Sequence, residues 1–449
     1  MRRQKINKGI SIVAGILAVV GVALLSWYAS RPGPMVFASG KFVALSEYKG
    51  HPTGVPADFK GDDQISRGRY LTQAADCQAC HTVKGGEAFA GGRPFKTPFG
   101  TLYSPNITPD AKTGIGQWTD ADFLKAVHQG VGPGGKRLYP AFPYAAYTYI
   151  TDEDVLAMKA YLFSLTPVSS VAPANQLDFP FNQRWLMAFW SILFNPDKRF
   201  QPNPVQSVEW NRGAYLTEGL AHCGECHTPR SLPQALDNAN KFSGAFAGAW
   251  RAYNITADQT TGVGAWSDAE LVQYLSTGHA AGRGTASGPM AEAVELSLAQ
   301  MTPSDIRAMV VYLRSVPAIA SKDLPAPKTQ MAAASAISDA YAGREARGHR
   351  LFAGACVGCH QWTGNNPMSP RASLTGSRAI NDPSAVNVAQ MVLHGSDTQA
   401  EDGKLGMPAF GTAYNDDEVA ALVNYVTTRF GARASTMSAA DVRKLRQTD

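Results

Sequence analysis

The sequence predicts an all-α fold, built as three small helical domains in tandem behind one N-terminal transmembrane helix. Three observations support this prediction. A five-residue motif, Cys-x-x-Cys-His, occurs three times at wide and similar separations. Apolar residues at helical spacing follow polar caps in all three repeats, and no run of alternating apolar residues indicates a sheet. The stretch from Gly9 to Tyr28 contains twenty residues and no charge.

The repeated motif carries the chemistry of the chain. CxxCH is the attachment signature of c-type haem: two thiols, one helical turn apart, add to the two vinyl groups of one porphyrin, and the histidine ligates its iron. A single CxxC could also be a zinc knuckle or a disulfide pair. All six cysteines fall in these motifs, however, and the three pairs lie far apart. We therefore expect three covalently bound haem c groups, held by Cys77, Cys80 and His81, by Cys223, Cys226 and His227, and by Cys356, Cys359 and His360.

The uncharged N-terminal run has the length of a transmembrane helix. Twenty residues at about 1.5 Å each span a hydrocarbon core of about 30 Å, and Trp27-Tyr28 stand where an interfacial aromatic belt is expected. Basic residues precede the run, so the positive-inside rule leaves the N-terminus in the cytoplasm. We expect residues 1–31 to form a cytoplasmic N-terminus and an uncleaved anchor with its helix at about 9–28; a cleaved signal peptide is the alternative. Both interpretations place the haem domains on the periplasmic side of a bacterial inner membrane, and the first makes the protein single-pass.

Charge and composition exclude other classes of protein. The chain has 449 residues and a formal net charge of +5, and much of that charge lies before the apolar run, which leaves the remainder close to neutral. A nucleic-acid-binding role therefore has no electrostatic support. The sequence has no dinucleotide-binding glycine fingerprint and no cysteine left for an iron–sulfur cluster. We expect no residue of this chain to oxidise an organic substrate.

Internal repeats and proline-rich breaks set the expected domain boundaries. The domains are predicted at 60–165, 206–316 and 341–431, with linkers at 166–205 and 317–340 and a polar tail at 432–449. A glycine precedes each haem motif at a similar distance, and the first two repeats share Asn-Ile-Thr followed by Gly-x-Trp. Capping boxes are expected to open the later helices of the repeats, at Thr119 with Asp122, Thr151 with Asp154, Ser267 with Glu270, Thr302 with Asp305, and Asn415 with Glu418.

Methionines supply the expected distal ligands of the second and third haems. A haem c that carries electrons usually has a methionine sulfur opposite the histidine, because a soft thioether favours Fe(II) and raises the potential. Met407 lies in a Gly-Met-Pro segment before the last helix, where a distal loop is expected. Met290 occupies the same place in the second repeat, with Met301 as its rival. We predict Met407 and Met290 as iron ligands.

The first repeat departs from this pattern. Phe142 stands where a sulfur is expected, and a phenylalanine cannot bind iron. Three possibilities stay open: no protein ligand, His128 from the preceding segment, or a displaced methionine such as Met35. Met158 aligns with Met309 of the second repeat and is interpreted as a core residue. A histidine ligand would give this haem a lower potential than the other two.

With these motifs, and with the segments at 139–144, 181–185 and 287–290, the chain resembles the triple-haem cytochrome c subunits of bacterial membrane-bound dehydrogenases. The resemblance covers nearly all of residues 60–430. It implies three cytochrome c-like domains that take electrons from a catalytic dehydrogenase subunit and deliver them to ubiquinone. That subunit is expected to be of the alcohol or aldehyde type, or a flavoprotein acting on a sugar or gluconate, with molybdopterin, a quinone or a flavin as its cofactor. Phe142 and the N-terminal anchor depart from the family pattern.

Other functions stay open beside this one. An iron without a sixth ligand would suit a catalytic or sensing haem protein, and Phe142 is the feature that favours it. The chain could also be the cytochrome subunit of a terminal oxidase. The aromatic segment 185–194 is too short to span a bilayer. It either packs between the first two domains or contacts the membrane surface or a quinone.

Overall fold

The computed structural model describes residues 32–61, 63–330, 346–396, 399–400, 403–404 and 406–448, together with Gly15, Val19 and Gly21. The predicted anchor helix at about 9–28 lies, apart from those three positions, outside the described residues. Within the described part of the chain, no helix combines the length and the apolar character needed to cross a membrane.

Helices are the main regular secondary structure, and they fall into three units that each contain one haem motif. The first unit contains α1 Gln64–Ala74, α2 Cys77–His81, α3 Asp120–Gln129, α4 Tyr144–Tyr147 and α5 Asp152–Ser164. After α6 Leu186–Phe194, the second unit contains α7 Val208–Tyr215, α8 Gly224–His227, α9 Asp268–Thr277, α10 Pro289–Leu296 and α11 Pro303–Ser315. The third unit contains α12 Ala346–Ala355, α13 Val357–His360, α14 Val386–His394, α15 Asp416–Phe430 and α16 Ala439–Thr448.

A glycine in the first helix of each unit lets the first and last helices cross in backbone contact. A Cβ atom at that position would collide with a carbonyl oxygen of the last helix. The distances would be 1.9 Å for Gly68 and Ala157, 1.9 Å for Gly213 and Ala308, and 2.2 Å for Gly348 and Ala421. The repeated glycine before each haem motif is therefore a packing requirement, because any side chain would push the two helices apart.

Short antiparallel strands correct the all-α prediction. β1 Pro94–Thr97, β2 Gly100–Tyr103 and β3 Gln176–Leu177 form a three-stranded sheet. The other strands form three hairpins, β4 Ala245–Ala247 with β5 Trp250–Ala252, β6 His279–Ala280 with β7 Gly284–Thr285, and β8 Gln399–Ala400 with β9 Gly403–Lys404. Strands of two to four residues are too short to show a period of two in the sequence. Because β3 pairs with β2, part of the expected linker 166–205 packs on the first unit.

The first two units are joined by reciprocal hydrogen bonds. The hydroxyl of Tyr70 donates to Asp305 Oδ2 at 2.6 Å, and that of Tyr215 donates to Asp154 Oδ2 at 2.6 Å. The two tyrosines hold equivalent places in their repeats, and each reaches the last helix of the other unit. The third repeat has Arg350 at this place, so it lacks the hydroxyl that joins the first two units.

These bonds explain why two of the predicted capping boxes are wrong. Complete boxes open α3, α9 and α15, as predicted. At α5 and α11 the threonine caps the helix, but the aspartate three residues on does not bond back to the cap. Asp154 and Asp305 are buried at the boundary between units, and their carboxylates accept the tyrosine hydroxyls instead. A tertiary contact has replaced the local one.

The buried apolar residues form two cores. One core runs through the first and second units. The other belongs to the third unit and includes Met437 and Val442, which are 9% and 0% exposed. The described part of the expected polar tail, residues 432–448, therefore belongs to the third unit, because α16 packs against α15. The sequence does not indicate this packing, because α16 carries few apolar side chains among its charged ones.

Candidate haem sites

One backbone carbonyl orients each motif histidine. The distances from Nδ1 to the carbonyl oxygen are 2.7 Å from His81 to Pro105, 2.6 Å from His227 to Tyr253, and 2.6 Å from His360 to Ala372. When Nδ1 donates to a carbonyl, Nε2 keeps its lone pair, which is the arrangement of metal-ligating histidines. Burial lowers the pKa of all three imidazoles, so the rings are neutral. These donors fit the proximal position of a haem iron at all three motifs.

The Asn-Ile-Thr repeats hold the first two of these carbonyls in place. Asn106, directly after the first acceptor, donates from Nδ2 to the backbone oxygen of Val168 at 2.7 Å. Asn254, at the same place in the second site, donates to that of Ile319 at 2.6 Å. Each bond ties the loop that orients the histidine to the chain leaving the last helix. The shared sequence thus has a role in fixing the proximal ligand.

The cysteines are available for attachment. None of the six forms a disulfide. Burial raises the pKa of the Cys356 thiol to about 11, so this thiol is protonated at neutral pH. Within the described residues, no three or more His, Cys, Asp or Glu side chains gather into a group that could hold a metal ion. The motifs present two thiols and one oriented imidazole each, as covalent haem attachment requires.

The loop that carries Met407 lies near the third haem motif. Met407 is half-buried, packs against the core of the third unit, and accepts a hydrogen bond from the Ser396 amide at 2.9 Å. Tyr414, farther along the same loop, is near Cys356: burial raises the pKa of the Tyr414 hydroxyl, and the Cys356 thiol adds to this shift. This placement agrees with a distal role for Met407, and the assignment stays a prediction.

Met290 is the second residue of α10 and packs, half-buried, against the shared core. Gly288, just before this helix, has φ 52° and lies against the indole of Trp250, where a Cβ atom would approach the ring to 2.4 Å. A side chain there would displace the loop that carries Met290. The rival Met301 is 8% exposed and lies in the same core. Met290 as the distal ligand also stays a prediction.

Replacing Met407 or Met290 by alanine should lower the potential of one haem each and leave covalent attachment intact, because other residues form the thioethers. Redox titration followed by visible absorbance measures the potentials, and the haem content of the protein checks attachment. Met368→Ala is the matched control: this side chain is 93% exposed, so its removal should leave all three potentials unchanged. A ligand variant that titrates like the parent protein would refute that ligand.

Phe142 is connected to the chain just before the first haem motif through Tyr147. Its ring centroid is 5.5 Å from that of Tyr147. The Tyr147 hydroxyl donates to the backbone oxygen of Ala75, two residues before Cys77, at 2.6 Å. The structure thus connects the phenylalanine of the expected distal loop to the motif through one aromatic neighbour, and its ring offers no lone pair to iron.

The alternative ligands of the first haem occupy buried positions. Nδ1 of His128 lies 3.6 Å from Asp152 Oδ1, and the side chain is 2% exposed. Burial lowers the pKa of His128 to about 4, and Arg199 adds to this shift. Its Nε2 has no hydrogen-bond partner among the described residues. Met35 and Met158 are 8% and 3% exposed in the shared core. Met158 is thus a core residue, and the sixth ligand of the first haem stays open between no protein ligand, His128 and Met35.

If the iron of the first haem has no methionine ligand, two haems of the protein have a methionine sulfur bound to iron. We expect the methionine-to-iron charge-transfer band, measured against total haem, to correspond to two haems per chain. A Met35→Ala variant is the control and should leave the band unchanged. A band equivalent to three haems that falls to two in this variant would contradict the prediction and identify Met35 as the ligand.

The first two haem motifs lie near each other across the boundary between their units. Burial raises the pKa of the Cys80 thiol to about 12, and Glu292 and Cys226 of the second unit are close enough to act on it as well. Arg93 connects the two sites directly. It donates to the backbone oxygen of Ala79, inside the first motif, and to Glu292 Oε2 on α10 at 2.9 Å. This proximity suits transfer of electrons between two haems.

The third unit contacts the second through the loops that orient the proximal histidines. Tyr253, the acceptor residue of the second site, donates its hydroxyl to the buried carboxylate of Asp382 at 3.3 Å. Thr285 donates to the backbone oxygen of Arg371 at 2.9 Å, next to Ala372, the acceptor residue of the third site. Both proximal loops are therefore fixed at the boundary between these units.

The aromatic segment forms α6, which has one packed and one exposed face. Trp190 stacks edge-on against Tyr144 at 5.7 Å and donates from Nε1 to the Pro233 oxygen at 2.8 Å, so it joins the first unit to the second. The opposite face presents Phe189 and Ile192, which are 59% and 70% exposed. Packing between the two units explains the apolar character of the face that carries Trp190, but not that of the face that carries Phe189 and Ile192. The second is an exposed apolar surface.

Comparison with known proteins identifies two families and several long relatives. Residues 65–166 match the cytochrome c family, and residues 343–426 match the family described as cytochrome c oxidase, cbb3-type, subunit III. The chain is 39% identical over 401 residues to the fructose dehydrogenase cytochrome subunit of Gluconobacter japonicus, which covers 85% of this chain and 82% of that protein. It is 38% identical over 413 residues to the gluconate 2-dehydrogenase cytochrome c subunit of Pantoea cypripedii. This match covers 87% of this chain and 91% of that protein.

A further relative is much longer than this chain. A nicotinate dehydrogenase subunit of Pseudomonas putida is 39% identical over 415 residues, which are 90% of this chain. The chain spans 34% of that protein.

Proposed function

Because this chain belongs to the family of cytochrome c subunits of membrane-bound dehydrogenase complexes, we propose that it relays electrons from a catalytic dehydrogenase subunit to membrane ubiquinone. Bound haem c supplies reversible one-electron chemistry at iron. The residues of the chain would hold three such groups: the thiols would attach each porphyrin, a carbonyl-oriented histidine would ligate each iron, and the boundaries between units would set the spacing. The observation that carries the proposal is the same histidine–carbonyl geometry at three motifs, of which the first two lie close together.

The catalytic partner acts on the periplasmic side in this proposal. In this proposal, oxidation of the organic substrate falls to another subunit. An alcohol or aldehyde dehydrogenase and a flavoprotein acting on a sugar or gluconate are the two candidate types. The relatives, which include fructose and gluconate dehydrogenase subunits, support a partner of this general kind.

Purification from membranes in mild detergent tests the proposal. We expect a dehydrogenase subunit to co-purify, its substrate to reduce the haems, and a short-chain ubiquinone analogue to reoxidise them. Screening alcohols, aldehydes, sugars and gluconate then distinguishes the candidate partners. Co-purification with a copper–haem oxidase subunit, together with failure of every such substrate to reduce the haems, would overturn the proposal.

The N-terminal anchor is proposed to hold the protein at the quinone pool. Removing residues 1–30 and supplying a cleavable signal should yield a soluble, haem-loaded periplasmic protein, because the anchor is proposed to attach the protein to the membrane and not to fold it. Fractionation of cells and haem staining measure the outcome. Protein that stays on the membrane would show a second attachment, and a Phe189→Glu/Ile192→Glu variant of the same truncated protein would assign it to the exposed face of α6.

Phe142 favours one alternative function, a haem protein with a reactive first iron. Carbon monoxide separates the two cases. Rapid, stoichiometric binding to one reduced haem indicates an open sixth position. Activity of that haem on a small molecule, with no electron acceptance from a dehydrogenase, would favour the alternative.

A further inference from the structure

The helix that carries Met290 has no side-chain cap of its own. α10 begins at Pro289, and no side chain of the preceding Gly288 can accept a hydrogen bond from its first turn. By contrast, a serine or threonine side chain caps each of α7, α9 and α11 in the same unit. A cap fixes the first turn of a helix by satisfying its free amides. Met290 lies in the uncapped turn, so its position depends on tertiary contacts of α10.

The first unit supplies such contacts near both ends of α10. In the first turn, Glu292 Oε2 accepts a hydrogen bond from Arg93 Nη2 at 2.9 Å, and Oε1 accepts one from Arg93 Nη1. At the other end, the Ser297 hydroxyl donates to the backbone oxygen of Ala74 at 3.3 Å. Between these bonds, α10 packs on α2, the helix of the first haem motif, as well as on α9 of its own unit. The helix that carries Met290 is thus held from the first unit.

Arg93 is itself fixed within the first haem site. Its Nη1 also donates to the backbone oxygen of Ala79, inside the haem motif. Its backbone amide donates to Ser104 Oγ at 3.1 Å, and its carbonyl accepts from the Ser104 amide at 3.0 Å. Ser104 precedes Pro105, whose carbonyl orients His81. The guanidinium that holds α10 is therefore attached to the loop that orients the first proximal histidine.

The ion pair fixes the orientation of α10 as well as its place. A bidentate pair of guanidinium and carboxylate adds geometric specificity to the electrostatic attraction. Both partners are half-buried, at 30% and 32% exposed, so solvent screens the pair only in part. Residues two apart on a helix point about 200° away from each other. Glu292 therefore holds α10 from the side opposite Met290, and Met290 packs against the shared core.

We propose that Arg93, a residue of the first unit, is a positioning residue for iron ligation at the second haem, because it holds α10 where the Met290 sulfur can bind the iron. Partners behind a metal ligand orient that ligand and strengthen its bond. The inference rests on the proposed function and on Met290 as the distal ligand. The third haem should not depend on a neighbouring unit in this way, since the Met407 carbonyl accepts from the Ser396 amide of its own unit at 2.9 Å.

Arg93→Met in the full-length, haem-loaded protein tests this inference. We expect the methionine-to-iron charge-transfer band to fall from two haems per chain toward one. Imidazole competes with methionine for iron, and its affinity for the second haem should rise about tenfold, the usual scale on which a supporting partner affects a metal site. The affected haem is identified as the one missing from a Cys223→Ala/Cys226→Ala variant. Loss of a nearby charge alone would shift the potential and leave the band in place.

Glu292→Ala tests whether Arg93 acts through α10. This variant should show the same two changes, and Arg93→Met/Glu292→Ala should show no more than the larger single effect, because both substitutions break one contact. Additive losses would mean that Arg93 reaches the second haem by another route, and would overturn the inference. If Arg93→Met fails to incorporate haem, Glu292→Ala decides by the same two measurements, since alanine suits a helix and Glu292 is half-buried.

The matched control is Arg67→Met. Arg67 is 32% exposed, close to the 30% of Arg93, but its partner Glu153 belongs to the same unit. The band and the imidazole affinity should therefore stay at the parent values. Met290→Ala provides the signature of complete loss, and an unchanged band in that variant would overturn the inference together with the ligand.

Two results separate the inference from the proposed function. Unchanged band and imidazole affinity in Arg93→Met at full haem content would overturn the inference and leave the relay intact. A parent protein whose haems no dehydrogenase substrate reduces would count against the proposed function instead.

Discussion

Gly348→Ala should destabilise the third unit by about 3 kcal/mol or more, although the substitution adds a single methyl group. A Cβ atom at this position would lie 2.2 Å from the Ala421 carbonyl oxygen and 2.6 Å from the Tyr425 Cβ. Neither is the end of a flexible side chain, so α12 and α15 must separate, and a close-packed interior tolerates such overpacking poorly. Guanidinium chloride unfolding of the haem-loaded protein, followed by the haem absorbance, measures the loss.

Gly354→Ala in the same helix is the matched control. A Cβ atom on Gly354 meets nothing within 4 Å in the structure. Alanine favours a helix over glycine by about 1 kcal/mol, so this variant should be as stable as the parent or slightly more stable. The two substitutions are chemically identical and differ in what the new methyl group contacts. Equal unfolding midpoints for both variants would refute the helix crossing.

Arg212→Met should cost about 3–5 kcal/mol, because it leaves a buried carboxylate without its cation. Nε and Nη2 of Arg212 donate to the two oxygens of Asp305 at 2.8 and 2.7 Å, and the side chains are 8% and 0% exposed. Nη1 donates to the backbone oxygens of Pro52 and Gly54 at 3.1 and 2.9 Å. The residue therefore also fastens the segment before α1 to the second unit.

The exposed arginine of another ion pair provides the comparison. Arg443 pairs with Asp416 at 3.2 Å, and its side chain is 65% exposed. Solvent screens such a pair, so Arg443→Met should change the free energy of unfolding by less than about 1 kcal/mol. Both measurements use the full haem-loaded chain. A loss for Arg212→Met no larger than that for Arg443→Met would show that the boundary between the first two units does not depend on this ion pair.

The haem motifs and the helices around them could be predicted from the sequence because their determinants are local. Two thiols and a histidine within five residues are enough to indicate attachment. The caps of α3, α9 and α15 depend on side chains three residues apart, and all three formed as predicted. The sequence shows that a glycine recurs before each haem motif. It does not show that the glycine is needed for packing, because the carbonyl oxygen that the glycine approaches belongs to a residue far along the chain.

The tertiary structure alone decided the features that depend on which surfaces meet. Asp154 and Asp305 were interpreted as capping residues, and contacts with tyrosines 61 and 235 positions away changed their role. Residues 432–448 belong to the third unit because Val442 is buried in its core. The buried carboxylate of Glu218 pairs with the buried ammonium of Lys241, 23 residues farther along the chain. A local pattern specifies a helix or a covalent attachment site, whereas burial is a property of two surfaces together, and only the folded chain brings those surfaces into contact.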